Sequence, residues 1–313
     1  MLRHMIGFDS HEFATLFNMC LPHMKKEFPN TPVTCYENTE ENGVFRLNLR
    51  LIMFLTLMRC RHLNSFRFLN GLVGFNYSHL NAVNNRCELV MLDAFFEEHL
   101  KKPSVEELKI DAKYFHDAHS FNGIRFCIAF LQDCAHHVIC RPVDEDTQET
   151  FHTRHKRIHA LKMSVFCAVG RKWMHEVAMF AGRASDMTAW KEQPFAELIT
   201  EASGILGLAD KGMNDTSETR LVTPCKVTQI NRAMRKHTDP SLKKKVKRGC
   251  IQFNLDVSKG RVHNEIIIGD LCMWVAARGS GCKKTYHDLN RIKIRIELCR
   301  RLTNFVFRQR NLG

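Results

Sequence analysis

Two apolar runs in this chain lead to an aspartate. The run Ile124 to Leu131 in "IRFCIAFLQD" reaches Asp133, and "GILGLADKG" reaches Asp210 and turns through Lys211 and Gly212. Asp186 follows a third run in "VAMFAGRASDM", and Glu265 opens the apolar segment of "GRVHNEIIIGD". A single aspartate at the mouth of a buried strand is commonly a turn residue. Two such positions, a post-strand aspartate and a distant glutamate together suggest placed ligands. Grouped carboxylates repel, and at least one holds its proton unless a cation neutralises the cluster. Hard oxygen donors suit Mg²⁺ or Mn²⁺, which retain waters and also bind substrate phosphates. Two such ions, about 3.5–4 Å apart, can activate a water or hydroxyl and stabilise the leaving oxygen of a phosphodiester.

Other reactive side chains make weaker patterns. Asp111 in "LKIDAKYF" has no long apolar strand leading into it, and Glu297 lies in a basic helix, where an ion pair is the simpler role. His152, His155 and His159 have a zinc-like spacing, but in a strand they would not share one face. They read better with Arg154, Lys156 and Arg157 as a strip facing phosphates. Arg261 stands one helical turn before Glu265, placed to steady it or to contact DNA. "GSGCKKT" at Gly279 is too short for a phosphate-binding loop, so an ATPase is not indicated.

The net charge of +13 favours a polyanionic partner, DNA or RNA. It is concentrated in "RHKRIH" from Arg154 and "KKKVKRG" from Lys243, the latter resembling a nuclear-localisation cluster. The 13 scattered cysteines include no CxxC pair and suit reduced core positions of an intracellular protein. No stretch approaches the roughly 18 apolar residues needed to cross a bilayer, and the opening "MLRHMIGFDSHEFATLF" lacks the apolar core of a secretion signal.

These residues need elements to hold them. Before "EEHLKKPSVEELK" the text is helical, with "LRLIMFLTLMRCRHL" as a mostly apolar helix. A short helix, a turn at Gly74-Phe75-Asn76 and a longer helix capped by Ser78 follow, in a helix-turn-helix arrangement. Asn81, Asn84, Asn85 and Arg86 on the longer helix have base- or phosphate-contacting chemistry. From Ile124 short apolar runs alternate: "FCIAFLQD", "HHVICRP", then "LKMSVFCAVG" and "KWMHEVAMFAG" as a hairpin turning at Gly170-Arg171. A helix near "DMTAWKEQPFAELITEA", the run "GILGLAD" and the basic helix "DLNRIKIRIELCRRLTNFVF" complete a mixed sheet flanked by helices.

The ordered segments "FLQDCAHHVICRP", "QETFHTRHKRIHALK", "GRASDM", "LADKG", "RLVTP" and "FNLDVSKGRVHNEIIIGDL" resemble PIF/Harbinger-type transposases, which are DDE superfamily endonucleases. That family has an Asp-Gly-Thr after its first strand, an HALK-like strand start and a Gly-x-x-x-Asp turn. An Asp-x-Gly-Tyr strand end and a late Arg-x-x-x-Glu follow. The resemblance spans roughly Arg125 to Val275. It implies an α/β, RNase H-like fold with Asp133 on the first strand, Asp210 at the fourth and Glu265 on a later helix as the metal-binding triad. Asp186 matches a further acidic position that joins the metal site. The sequence departs from the family at Cys134 (glycine), Met213 (tyrosine) and Ile266, Cys272 and Trp274, where the family carries cations.

The resulting expectation is a helix-turn-helix-like region over 1–108 and a nuclease domain over 109–313 with a basic insertion at about 226–260. The chemistry expected is Mg²⁺- or Mn²⁺-dependent DNA cleavage, with strand transfer as an extension. The alternative is a domesticated, inactive DNA-binding protein. Expected DNA contacts are Asn81, Asn84, Asn85, Arg86, Arg154, Lys156, Arg157, Lys211 and Arg261. Expected partners are DNA, a separate Myb-like DNA-binding protein and a second copy of the chain, with no membrane, in the nucleus and cytoplasm.

Overall fold

A computed structural model describes residues 2–34, 47–62, 68, 71, 73–74, 76–95, 103–118, 128–169, 174–200, 203–214, 217–279 and 288–311. The helices in chain order are α1 (Leu2–Ile6), α2 (Ser10–Glu27), α3 (Leu49–His62), α4 (Tyr77–Ala94), α5 (Val105–Ala118) and α6 (Glu145–Phe151). They continue with α7 (Asp186–Lys191), α8 (Val227–Arg235), α9 (Pro240–Cys272), α10 (Val275–Arg278) and α11 (Leu289–Asn311). The strands are β1 (Ile128–Val138), β2 (His152–Thr153), β3 (Ile158–Ala168), β4 (Met174–Ala181), β5 (Leu206–Ala209) and β6 (Leu221–Val222). Among the described residues no helix is long and apolar enough to cross a membrane.

The chain forms two compact units. One comprises 1–101, 137–140 and 270–313; the other comprises 102–136 and 141–269. The first break lies between residues 101 and 102, and the final helix groups with the N-terminal helices. The reason is a buried carboxylate. Glu88 on α4 is fully buried and pairs with Arg291 (2.9 Å) and Arg295 (3.0 Å) of α11 and Arg59 (3.4 Å) of α3. A buried charge is tolerated only when paired in this way. Phe305 of α11 adds apolar contact, packing edge-on to Phe95 at 6.1 Å and against Phe8 at 6.0 Å. Glu297 is an ion-pair partner as expected, holding Arg300 at 2.6 Å and Arg301 at 2.7 Å.

Within this unit α4 packs on α2, α3 and α11. Its N-cap is Asn76, whose side chain accepts from the Ser78 backbone N–H at 2.8 Å, so Ser78 is not the cap. The short helix expected before it, and Phe75 of the turn, lie largely outside the described residues.

The second unit holds a mixed sheet ordered β2-β3-β1-β5-β6, with β4 paired to β3. β1, β5 and β6 run parallel, whereas β3 and β4 form an antiparallel pair with Val165 opposite Val177. The turn expected at Gly170-Arg171 lies outside the described residues. β1 is longer than the sequence suggests: Ile128–Val138 joins parts of two runs expected as separate, and Asp133 stands in its interior. In sequence, a carboxylate inside a strand resembles a strand end. The first half of β1 is buried throughout, and beyond Asp133 the strand alternates buried and half-buried positions, the pattern of a strand with one covered face.

Aromatic rings fix the core beneath the site. Phe130 stacks on Phe166 at 4.6 Å and on Trp190 at 5.6 Å, and Phe166 meets Phe195 at 3.8 Å. Gly207 of β5 is required there, because a Cβ would lie 2.0 Å from the Phe130 ring.

Candidate active site

The register of β1 and β5 brings the first two aspartates together. Gln132 is the partner of Ala209, so Asp133 and Asp210 stand level on neighbouring parallel strands about 4.8 Å apart. Asp210 continues the extended path of β5, with φ −72° and ψ 161°, before a 3₁₀ turn at Lys211–Met213. A closed ring of buried hydrogen bonds pins the strand beside Asp133. Gln132 Nε2 donates to Ser164 Oγ (2.6 Å), Ser164 Oγ to Gln193 Oε1 (2.8 Å) and Gln193 Nε2 to Gln132 Oε1 (3.0 Å). Every member is satisfied, so the network rigidifies the support.

Asp186 is the first residue of α7, whose N-cap Ser185 accepts from the Thr188 backbone N–H. A negative charge is favoured at that helix start. Asp186 Oδ2 lies 2.9 Å, and Asp210 Oδ2 3.7 Å, from where a Cβ on Gly212 would sit. The glycine therefore leaves the space into which both carboxylates face.

Protein cations neutralise these acids. The Arg261 guanidinium of α9 reaches Asp210 Oδ1 at 3.0 Å and Asp133 Oδ2 at 3.5 Å. Its buried Nε has no hydrogen-bond partner. Lys162 of β3, itself buried, holds Asp186 at 2.6 Å. Burial raises the Asp133 carboxyl above its usual range, against the lowering effect of the Cys134 N–H (2.7 Å) and of Arg261; Asp210 and Asp186 raise it further. Further along β1, burial and then Lys156 and Lys162 depress His136 to about 4, leaving it a neutral imidazole at pH 7.

Glu265, the third expected ligand, lies on α9. It is exposed on α9, one turn beyond Arg261, and among the described residues no three His, Cys, Asp or Glu side chains stand close enough to hold one ion. The Arg261 guanidinium faces Asp133 and Asp210. The donor chemistry still suits a hard divalent cation. Mg²⁺ is commonly bound by one or two carboxylates together with waters and substrate phosphates, and Asp133 and Asp210 are such a pair.

The expected DNA contacts divide. Asn84 is buried, accepting from Thr56 Oγ1 (2.8 Å) and donating to the Leu80 carbonyl (2.8 Å), so it packs α4 on α3 and does not reach a base. Asn85 and Asn81 are half-buried and bonded to each other at 3.3 Å, with Arg59 on Asn85. Arg86 is exposed but pairs with Glu27 at 2.5 Å. By contrast Arg154, Lys156 and Arg157 are all exposed at the tip of the β2–β3 hairpin, and Lys211 is exposed beside Asp210. Arg157 takes φ +52°, an uncommon conformation for a residue with a Cβ. His152 and His159 meet as cross-strand partners with ring centres 5.3 Å apart, contrary to expectation, while His155 stands at the tip.

The sequence reading missed Lys162, Ser164 and Gln193. Lys162 carried a signal: a lone cation inside the mostly apolar "ALKMSVFCA" must find a buried acid.

The sequence profile described as DDE superfamily endonuclease matches residues 132–304. No curated protein and no solved structure matches the chain.

Proposed function

Since the chain belongs to the DDE superfamily endonucleases, we propose that it is a divalent-metal-dependent DNA endonuclease of the PIF/Harbinger type, hydrolysing phosphodiesters at Asp133 and Asp210. The observation that carries this reading is the level register of the two aspartates on parallel strands, with a cation across both. Asp133 and Asp210 would hold Mg²⁺ or Mn²⁺, with Asp186 at the edge of the same space. Such an ion would supply a polarised water and neutralise charge developing on the phosphate. With the two aspartates committed to an ion, the Arg261 guanidinium would be available to the substrate backbone. Lys211 and the hairpin tip of Arg154, Lys156 and Arg157 steer the DNA by phosphate contact, which positions without reading sequence. Joining of the freed 3′ hydroxyl to a second DNA, a separate Myb-like DNA-binding partner and nuclear entry through Lys243 to Arg248 belong to the same proposal.

A second reading, DNA binding without turnover, is favoured by one set of observations. Arg261 and Lys162 already satisfy the acids, Glu265 stands apart, and Ile266, Cys272 and Trp274 replace cations of the family pattern. Nicking of supercoiled plasmid separates the two. The endonuclease nicks with Mg²⁺ or Mn²⁺, and Asp133→Asn and Asp210→Asn each lower the rate at least about 100-fold. Metal-independent, salt-sensitive binding with no nicking under either ion would establish the second reading.

A further inference from the structure

Helix α9 is 33 residues long, about 50 Å, and it is apolar on two opposite faces. One face is buried or half-buried: Cys250, Phe253, Val257, Gly260, Asn264 and Ile267. That face is covered. The opposite face carries Ile251, Leu255, Val262 and Ile266, with 46%, 52%, 48% and 43% of their surface exposed. At ~100° per residue these four fall within an arc of about 60°. Scattered exposed apolar residues need no explanation, whereas an aligned stripe on a charged helix marks a contact surface.

The spacing of the stripe identifies its occupant. The intervals are four, seven and four residues, the same in either direction. A second α9 laid antiparallel therefore sets Ile266 against Ile251 and Val262 against Leu255, twice over, about a two-fold axis between Ser258 and Lys259. A two-fold interface requires one patch to complement itself, and this one does. Charge selects the direction. A parallel pair would stack Lys243, Lys244, Lys245, Lys247 and Arg248 against their copies, and like charges facing each other destabilise. The antiparallel pair instead carries the two basic clusters to opposite ends of the seam, away from each other. Lys259 near the axis can cover apolar surface with its stem while its ammonium remains in water.

We propose that α9 is a dimerisation helix and that its outer stripe binds the α9 of a second copy, antiparallel. Ile266 thereby gains a role: where the family pattern carries a cation, this chain places one end of a self-complementary seam. The proposal does not depend on the nuclease reading, and no residue of the seam belongs to the acidic site.

Sedimentation velocity of the full chain over a concentration series tests it, with circular dichroism confirming unchanged helix content. The wild type should sediment as a dimer. Ile251→Glu and Ile266→Lys should each weaken association by about tenfold or more, since each sets a charge against an apolar side chain at two places. The double variant Ile251→Glu/Ile266→Lys should recover most of the loss, because antiparallel pairing sets each glutamate opposite a lysine. A wild-type monomer, a dimer indifferent to both single changes, or a double variant as weak as the singles would each overturn the proposal. The first would mean that the stripe takes a different partner, the second that another surface dimerises, and the third that the helices run parallel.

Discussion

Asp133 stores an unfavourable charge, and that has a measurable consequence. Burial raises its carboxyl above the usual range despite the Cys134 N–H and Arg261. The folded state therefore holds the Asp133 proton to higher pH than the unfolded chain, which releases it near ~3.9. Stability from this group is complete below that value and is lost as pH rises through the elevated folded-state range. Asp133→Asn should then melt at a higher temperature than the wild type at pH 7, with the advantage vanishing below about pH 4. Thermal melts across pH would check this, and an unchanged or lowered melting temperature at pH 7 would contradict it. At this scale the sequence was partly legible. Asp133 and Asp210 could be found because each follows a buried apolar run, and the buried carboxyl of Glu88 could not, because its three arginines lie on other helices.

At the scale of elements, the site depends on β1 and β5 keeping their register. Gly207 permits the Phe130 ring to lie flat against β5, and the ring sits in a closed aromatic cluster with Phe166 and Trp190. Gly207→Ala forces that ring to move in a core without slack, which typically costs about 1–3 kcal/mol. Urea unfolding should show the loss, and Phe130→Leu in the same chain should return part of it by making room. If Gly207→Ala unfolds like the wild type, the ring is not what holds the two strands. The elements themselves were legible where pattern was strong: β3 and β4 as antiparallel neighbours, β5 leading to Asp210, and the long C-terminal helix. β1 was truncated in the reading because its outer half, "DCAHHV", alternates polar and apolar residues, and a carboxylate inside a strand mimics a strand end.

For the whole molecule, charge and connectivity matter more than any pattern. With a net charge of +13, the proposed binding to nucleic acid should weaken steeply with salt. If Arg154, Lys156 and Arg157 touch phosphates, replacing any one by Ala should lower the slope of log affinity against log salt by about 0.9 and weaken binding evenly across sequences. A variant with an unchanged slope would remove the hairpin tip from the interface. The return of residues 270–313 to the N-terminal helices was not legible. It arises from contacts of very long sequence separation, such as Arg295 with Glu88, and no local signal announces them.

The central claim is that the carboxylates of Asp133 and Asp210 are a divalent-metal pair kept in check by Arg261. Calorimetric titration of Mn²⁺ into the metal-free protein is the most direct measurement. The account predicts binding that is lost in both Asp133→Asn and Asp210→Asn and tightened about tenfold or more in Arg261→Gln, where the competing guanidinium is gone. Binding that survives both aspartate changes, or that weakens when Arg261 is replaced, would contradict it.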